Sequence, residues 1–253
     1  MAKKRKSATK RSVATSKTKP AAHKSDKVLV IDVGGTNIKL LATGQTAATK
    51  IPSGPKMTPQ AMVDAVKAAS SGWDYGKVAI GYPGVVVDGR PLLEPANLAK
   101  GWVRFDFAKA LGHPVRVIND AAMQALGSYE GGRMLFLGLG TGLGSAMIID
   151  GELQPLELAH MPYKGHTYEE YVGKRGLEKY GKKKWQKLVC EIVEQLRHAL
   201  EAGYVVLGGG NLKLLKELPP GCLAGNNSNA FEGGFRLWGK PMPRAERGAK
   251  PLT

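Results

Sequence analysis

From Lys27 onward the apolar positions of this chain follow two periods. Short apolar runs bounded by turn residues, Val28–Val33, Asn37–Ala42, Lys77–Gly81, Met134–Leu137, Ser145–Ile149 and Tyr204–Leu207, read as strands, the first two forming a hairpin around a glycine turn. Between them, apolar residues recur every three or four positions. Thr58-Pro59 opens one such helix, with Thr as cap, Pro in the first turn, and Met62, Val63 and Val66 on one face. A second helix spans Lys184–Ala202, where Trp185, Leu188, Val189, Ile192, Val193, Leu196 and Leu200 make a core-facing stripe. Val115–Asn119 reads as a strand that turns helical at Asp120, Asp150-Gly151 as a hairpin turn, and Leu212–Leu218 and residues 230–240 as further helices. Strands alternating with helices predict an α/β fold.

Charge divides the chain. Its net charge is +16, and residues 1–27 carry ten Lys/Arg against Asp26 alone, so the tail holds +9 and the remaining chain +7. The tail has almost no large apolar side chain to offset the entropy of ordering, which predicts disorder over residues 1–26. Lys3-Lys4-Arg5-Lys6 is compatible with import, polyanion contact or simple solvation, and no apolar h-region marks a secretory signal. No apolar stretch is as long as a membrane span, and two cysteines, Cys190 and Cys222, make no disulfide framework, so a cytoplasmic protein without membrane partners is expected.

Two glycine turns carry the candidate chemistry. Asp32-Val33-Gly34-Gly35-Thr36-Asn37-Ile38-Lys39 and Gly138-Leu139-Gly140-Thr141-Gly142-Leu143-Gly144 each follow an apolar strand. Glycine lets backbone N–H groups approach an anion and Thr adds a hydroxyl, so the pair suggests two hands on one phosphate chain. Neither matches a G-x-x-x-x-G-K-[ST] loop. Between them, Asn119-Asp120 ends a strand with a carboxylate at the edge where open α/β sheets place ligands. Asp120 reads either as a helix N-cap or as a general base toward an attacking hydroxyl, and both roles are compatible. A third glycine turn, Gly208-Gly209-Gly210, closes the last predicted strand.

In this order and spacing the residues resemble the ROK family of sugar kinases, and within it the polyphosphate/ATP-glucokinase branch. The resemblance covers about residues 27–240. It implies an actin-like, ribonuclease H-like fold of two α/β lobes with a cleft between them, over residues 27–118 and 119–253, the last helix packing back on the small lobe. It implies Asp120 as catalytic base; Asn97, Asn119, Glu157, His160 and Glu169 on the sugar; Gly34, Gly35, Thr36, Asn37, Lys39, Gly140, Thr141 and Gly142 on phosphates; and Gly208, Gly209 and Gly210 on a nucleotide. Mg²⁺ is implied near Asp32, with ATP or polyphosphate as donor, glucose as acceptor and a homodimer as the assembly. Glu157-Leu158-Ala159-His160 stands where the family has Glu-Leu-Gly-His.

Two departures stand out. The segment Met161–Thr167 has no cysteine where most of the family carries a zinc motif, so no structural zinc is expected. The run Lys174, Arg175, Lys179, Lys182, Lys183, Lys184 and Lys187, resembling the polyphosphate branch around Lys184-Trp185, reads either as a polyanion track or as a solvated helix face. The second departure, Gly225–Ala230, is more polar than the family's approach to its last helix. Alternatives of other kinds are a kinase for another hexose or amino sugar, a sugar-responsive regulator, for which residues 1–27 are too short to form a DNA-binding domain, and a non-catalytic polyanion- or sugar-binding protein whose basic tail makes the contact.

Overall fold

In the computed structural model, residues 25–226 and 228–239 are described, so most of the expected basic tail lies outside the described residues. In chain order the elements are β1 (Val28–Val33), β2 (Asn37–Ala42), β3 (Thr49–Pro52), α1 (Pro59–Ala69) and β4 (Lys77–Tyr82), then a small ribbon of β5 (Val86–Val87) and β6 (Arg90–Pro91). They continue with α2 (Phe107–Leu111), β7 (Val115–Asn119), α3 (Asp120–Ser128), β8 (Arg133–Leu139), β9 (Leu143–Ile149) and β10 (Glu152–Leu156). A second ribbon, β11 (Pro162–Tyr163) and β12 (His166–Thr167), precedes α4 (Tyr168–Val172), α5 (Lys174–Ala199), β13 (Tyr204–Gly208), β14 (Cys222–Ala224) and α6 (Asn229–Arg236).

Two five-stranded sheets result, ordered β3-β2-β1-β4-β7 and β10-β9-β8-β13-β14. Counted within each lobe the order is the same, 3-2-1-4-5, with the first three strands antiparallel and the last two parallel to the first. The innermost hairpin pairs are Val33↔Ile38 in the first sheet and Leu139↔Leu143 in the second, so each glycine turn sits at the tip of its lobe's central hairpin.

Apolar burial holds each lobe. Leu29, Ile31, Ile38 and Leu40 pack with Met62, Val63 and Val66 of α1, where Thr58 Oγ1 caps Ala61 N at 3.1 Å. In the second lobe Leu135, Leu137 and Val205 pack with Trp185, Val189, Ile192 and Val193 of α5. Joining the lobes, α3 packs on β4 and on β8 and β9, while α6 packs on α3, β1 and β4. The two helices approach closely through glycines, since a Cβ at Gly127 would lie 1.8 Å from Asn229 O and one at Gly233 1.8 Å from Met123 O.

Several expectations change. The expected helix from Lys184 is the second segment of α5, which follows a break at Gly181, whose φ of 71° no helix accommodates, and ends at Ala199 rather than Ala202; an additional helical segment from Lys174 precedes the break. Trp185 is buried and its Nε1 donates to Val172 O at 2.8 Å, fixing the second segment against the end of α4. Leu212–Leu218 is only a 3-10 turn over Leu212–Leu214, because Gln186 Nε2 takes Leu214 O at 2.6 Å and Pro219-Pro220 prevents continuation. The N-cap of α3 is Asn119, whose Oδ1 accepts from Ala122 N at 3.0 Å, leaving Asp120 as the first helical residue.

Candidate active site in the cleft between the lobes

The carboxylate of Asp120 stands where β7 ends and α3 begins, and two glycines set its position. A Cβ at Gly81 of β4 would lie 2.3 Å from Met123 Cε and 3.6 Å from Asp120 Cα; one at Gly144 of β9 would lie 2.8 Å from Ala121 Cβ. The first turn of α3 is thus seated against a bare backbone from each sheet. Burial, then the charges of Asp32 and Glu157, push the Asp120 carboxyl up to about 7, against the hydrogen bond from Ala121 N. A carboxyl at that value takes up and gives back protons near neutral pH.

On the first hairpin, Asp32 pairs with Lys39 at 3.0 Å, from directly opposite positions of the ladder. Gly34 N closes its own turn on Asn37 O at 3.1 Å, and Ser53 Oγ donates to Gly34 O at 2.6 Å. A Cβ at Gly35 would lie 3.0 Å from Asn97 Cβ, so Asn97 roofs this turn, while Thr36 and Asn37 are exposed. The loop carrying Asn97 is tied by Glu94, whose carboxylate accepts from Gly101 N and Trp102 N at 3.0 Å and from Val103 N at 3.4 Å. Burial raises the Glu94 carboxyl, yet those three donors and Lys100 leave it below the usual range. Glu94 has no signature in the sequence beyond a carboxylate a few residues before a Gly-Trp, and sequence reasoning missed its role.

On the second hairpin, Gly140 N closes on Gly142 O at 3.2 Å, Lys174 N donates to Thr141 O at 3.0 Å, and Asn211 Nδ2 donates to Gly140 O at 3.0 Å. Glu169 of α4 roofs this turn, its Oε2 2.4 Å from where a Gly142 Cβ would be. His160 Nδ1 lies 3.8 Å from Glu169 Oε1. Burial, and secondarily the Glu169 charge, raises the Glu157 carboxyl while His160 opposes the rise. Asn119 is committed to protein groups, capping α3 and donating Nδ2 to Gly84 O at 3.1 Å. Of the third turn, Gly208 is buried, a Cβ there meeting Phe136 Cζ at 2.6 Å; Gly209 has φ 84° and lies on Leu139; Gly210 alone borders open space.

The roofs meet across a cavity of about 430 Å³ lined by Asn97, Thr141, Gly142 and Glu169 together with Lys174 and Arg175 at the start of α5. Residues of both lobes therefore face one space. A larger cavity, about 750 Å³, runs along α5 away from these carboxylates. The smaller one is the candidate active site, because Asn97, which roofs the first turn, and Glu169, which roofs the second, both line it.

Comparison with known proteins decides the lineage, since residues 28–183 match the ROK family. The chain belongs to the ROK family. It is 30% identical over 202 residues to a polyphosphate glucokinase of Mycobacterium tuberculosis, covering 71% of this chain and 76% of that protein. The crystal structure of an inorganic polyphosphate/ATP-glucomannokinase from Arthrobacter superposes with a TM-score of 0.72 at 25% identity, covering 85% of this chain and 98% of the other. A ROK glucokinase from Streptomyces griseus, solved with glucose and AMPPNP, shares the fold at a TM-score of 0.68 and 19% identity, covering 83% of this chain and 98% of that chain. The two-lobed, actin-like architecture expected from the sequence is thus the observed one, and the matches support a sugar phosphotransferase. Among the described residues no helix is long and apolar enough to cross a membrane, and no three His, Cys, Asp or Glu side chains cluster around a metal position.

Proposed function

We propose that this protein transfers the terminal phosphoryl group of polyphosphate or ATP to the 6-hydroxyl of glucose, with Asp120 as general base. The observation that supports the reading most is the placement of Asp120 at the seam of both lobes, in a helical turn seated on Gly81 of one sheet and Gly144 of the other, where the charges of Asp32 and Glu157 reach its carboxyl. Asn97, Glu157, His160 and Glu169 present acceptors and donors suited to vicinal hydroxyls, and Asn119 positions Asp120 through the cap of α3. Because Gly34 and Gly140 use their N–H groups to close the turns, Gly35, Thr36, Thr141 and Gly142 form the cradle for the phosphates. Gly210, exposed and bordering open space, is the residue of the third turn left free to contact the donor's far side.

As the sugar oxygen forms its bond to phosphorus, its proton passes to Asp120, the bond from phosphorus to the bridging oxygen breaks, and the shortened donor leaves with the electron pair. Positioning and charge neutralisation supply most of the acceleration in such transfers. The like charges of Asp32 and Asp120 fit a hard cation held by one or two carboxylates and donor oxygens, the usual Mg²⁺ arrangement. Bound there, Mg²⁺ would neutralise donor oxygens, with Asp32 holding it directly or through water. Lys39 balances the Asp32 charge at 3.0 Å, and Lys174 and Arg175 line the cavity together with Glu169, Glu170 and Glu178, Lys174 lying 3.8 Å from Glu178.

The test is a coupled glucose-6-phosphate assay with Mg²⁺, run in parallel on ATP and on nucleotide-free polyphosphate. Turnover of glucose with either donor is the expected result. No turnover with glucose alongside turnover of another hexose or an amino sugar would reassign the acceptor.

A further inference from the structure

The basic run along α5 is not one track. The start of α5 places Lys174 and Arg175 at the active-site cavity. After the break at Gly181, Lys184 turns with Lys179 onto the Tyr180 ring, their Nζ atoms 4.7 and 5.2 Å from its centroid, and that ring stacks on Tyr171 at 5.5 Å. The remaining lysines of the run point elsewhere. Lys182, Lys183 and Lys187 line the 750 Å³ groove, and Lys216 joins them from the loop after Leu214, with Gln186, Cys190, Leu215 and Glu217 completing the lining.

Four ammonium groups and one carboxylate give this groove a net positive charge, and it contains no aromatic ring. Single-stranded nucleic acids are gripped by stacking bases on aromatic side chains, and planar carboxylates are read best by arginine forks. Lysine point charges without a stacking surface suit a featureless, densely charged chain. The groove wall also connects to the transfer site. Asn211, next to Gly210, is bonded to Leu139 O and Gly140 O of the second glycine turn, and Gln186 ties Leu214 to α5. Lys216 follows Gly210 by six residues, at most about 20 Å of extended backbone.

We propose that the groove between the second segment of α5 and the Leu215–Glu217 loop binds the distal part of an inorganic polyphosphate chain whose terminal phosphoryl group lies in the cleft, so that the enzyme reads donor length. The inference rests on the phosphotransfer reading above, and direct binding separates the two. The decisive variant is Lys187→Glu/Lys216→Glu, one reversal on each wall, with Lys179→Glu/Lys184→Glu as a control on the tyrosine face. Long-chain polyphosphate binding is measured by equilibrium ultrafiltration across a salt series, and KM for long-chain polyphosphate is compared with KM for tripolyphosphate.

The groove variant should lose about tenfold in long-chain affinity, and the slope of log affinity against log salt should fall by about two, one per removed phosphate contact. Its KM for the long chain should rise by a similar factor relative to tripolyphosphate, while the control variant matches wild type in both. Equal losses on both donors, an unchanged long-chain affinity with an intact thermal transition, or displacement of polyphosphate by single-stranded nucleic acid at equal phosphate concentration would each overturn the assignment. If wild type phosphorylates no sugar, the phosphotransfer reading fails, and the ultrafiltration series still decides whether the groove binds the chain.

Discussion

The two central hairpins occupy the same place in sheets of the same order, yet they solve different problems. One position below the tip, the first hairpin pairs Asp32 with Lys39, whereas the second pairs Gly138 with Gly144. The first therefore brings charge to the cleft; the second brings emptiness, into which Ala121 and the start of α3 descend. Their roofs differ in the same sense, with an amide, Asn97, over Gly35 and a carboxylate, Glu169, over Gly142. A duplicated scaffold thus supplies an electrostatic half and a packing half, and Asp120 is placed where they meet. Glycines that look equivalent along the chain are not equivalent in space.

The strongest way to break this comparison is to remove the charge that both halves place. Asp120→Asn should lower kcat by about 10³-fold or more with sugar affinity nearly intact, measured by the coupled assay and by calorimetric glucose binding. Stability should move the opposite way. Because the Asp120 carboxyl rises from its ordinary 3.8 to about 7 on folding, the folded chain retains a proton that the unfolded chain releases between those values. Its stabilising contribution is complete below the lower value and is lost as pH rises through the upper one. In Mg²⁺-free buffer the Asn variant should therefore melt above wild type at about pH 8 and lose that advantage at about pH 4. Equal melting temperatures at both pH values would remove the strained-carboxylate account.

A smaller effect tests the packing half. Gly144→Ala places a methyl group 2.8 Å from Ala121 Cβ, which displaces the first turn of α3 and with it Asp120. A shift near 1 Å in a reacting group is worth about 10²-fold in rate, so kcat should fall by that order. Gly140→Ala is the contrast, because a Cβ there meets nothing within 4 Å and the melting temperature should stay at the wild-type value. Similar destabilisation by both substitutions would show that the second hairpin is not specialised for packing.

The mildest expected change concerns the roof of the first turn. Glu94→Gln keeps the shape but lets only part of the Gly101, Trp102 and Val103 donor set find a charged acceptor, loosening the loop that holds Asn97. KM for glucose should rise about tenfold with kcat changed less, since roughly 1.4 kcal/mol of positioning corresponds to a factor of ten. An unchanged KM would detach Asn97 from sugar recognition.

Local pattern was enough for the strands β1, β2, β4, β7, β8, β9 and β13, the cap at Thr58, both glycine turns and the carboxylate at the end of β7, because alternation, turn chemistry and strand-end placement act over a few residues; the short, more exposed strands such as β3, β5 and β14 have no such apolar run. Boundaries set by competition between local and distant partners were not legible in the same way. The break at Gly181 lies inside a stretch of helix-forming residues, and the failure of Leu212–Leu218 to form a helix depends partly on Gln186, a residue 28 positions from the carbonyl it takes. The basic run was visible as composition, but its division among the cleft, the Tyr180 ring and the lysine groove follows from helix phase and from the loop that brings Lys216 alongside.

What the sequence by itself determined is a local pattern: two glycine turns after apolar strands and one strand-end carboxylate, each specified by residue type and short spacing, to which the family resemblance added the candidate sugar contacts. Only the tertiary structure decided that Gly81 and Gly144, 63 residues apart, form the two sides of the seat for Asp120, and that the charge of Asp32 reaches it. The reason is physical. A residue's identity sets which bonds it can make, whereas burial and neighbouring charge, which set how readily Asp120 holds its proton, exist only once distant segments have come together around it.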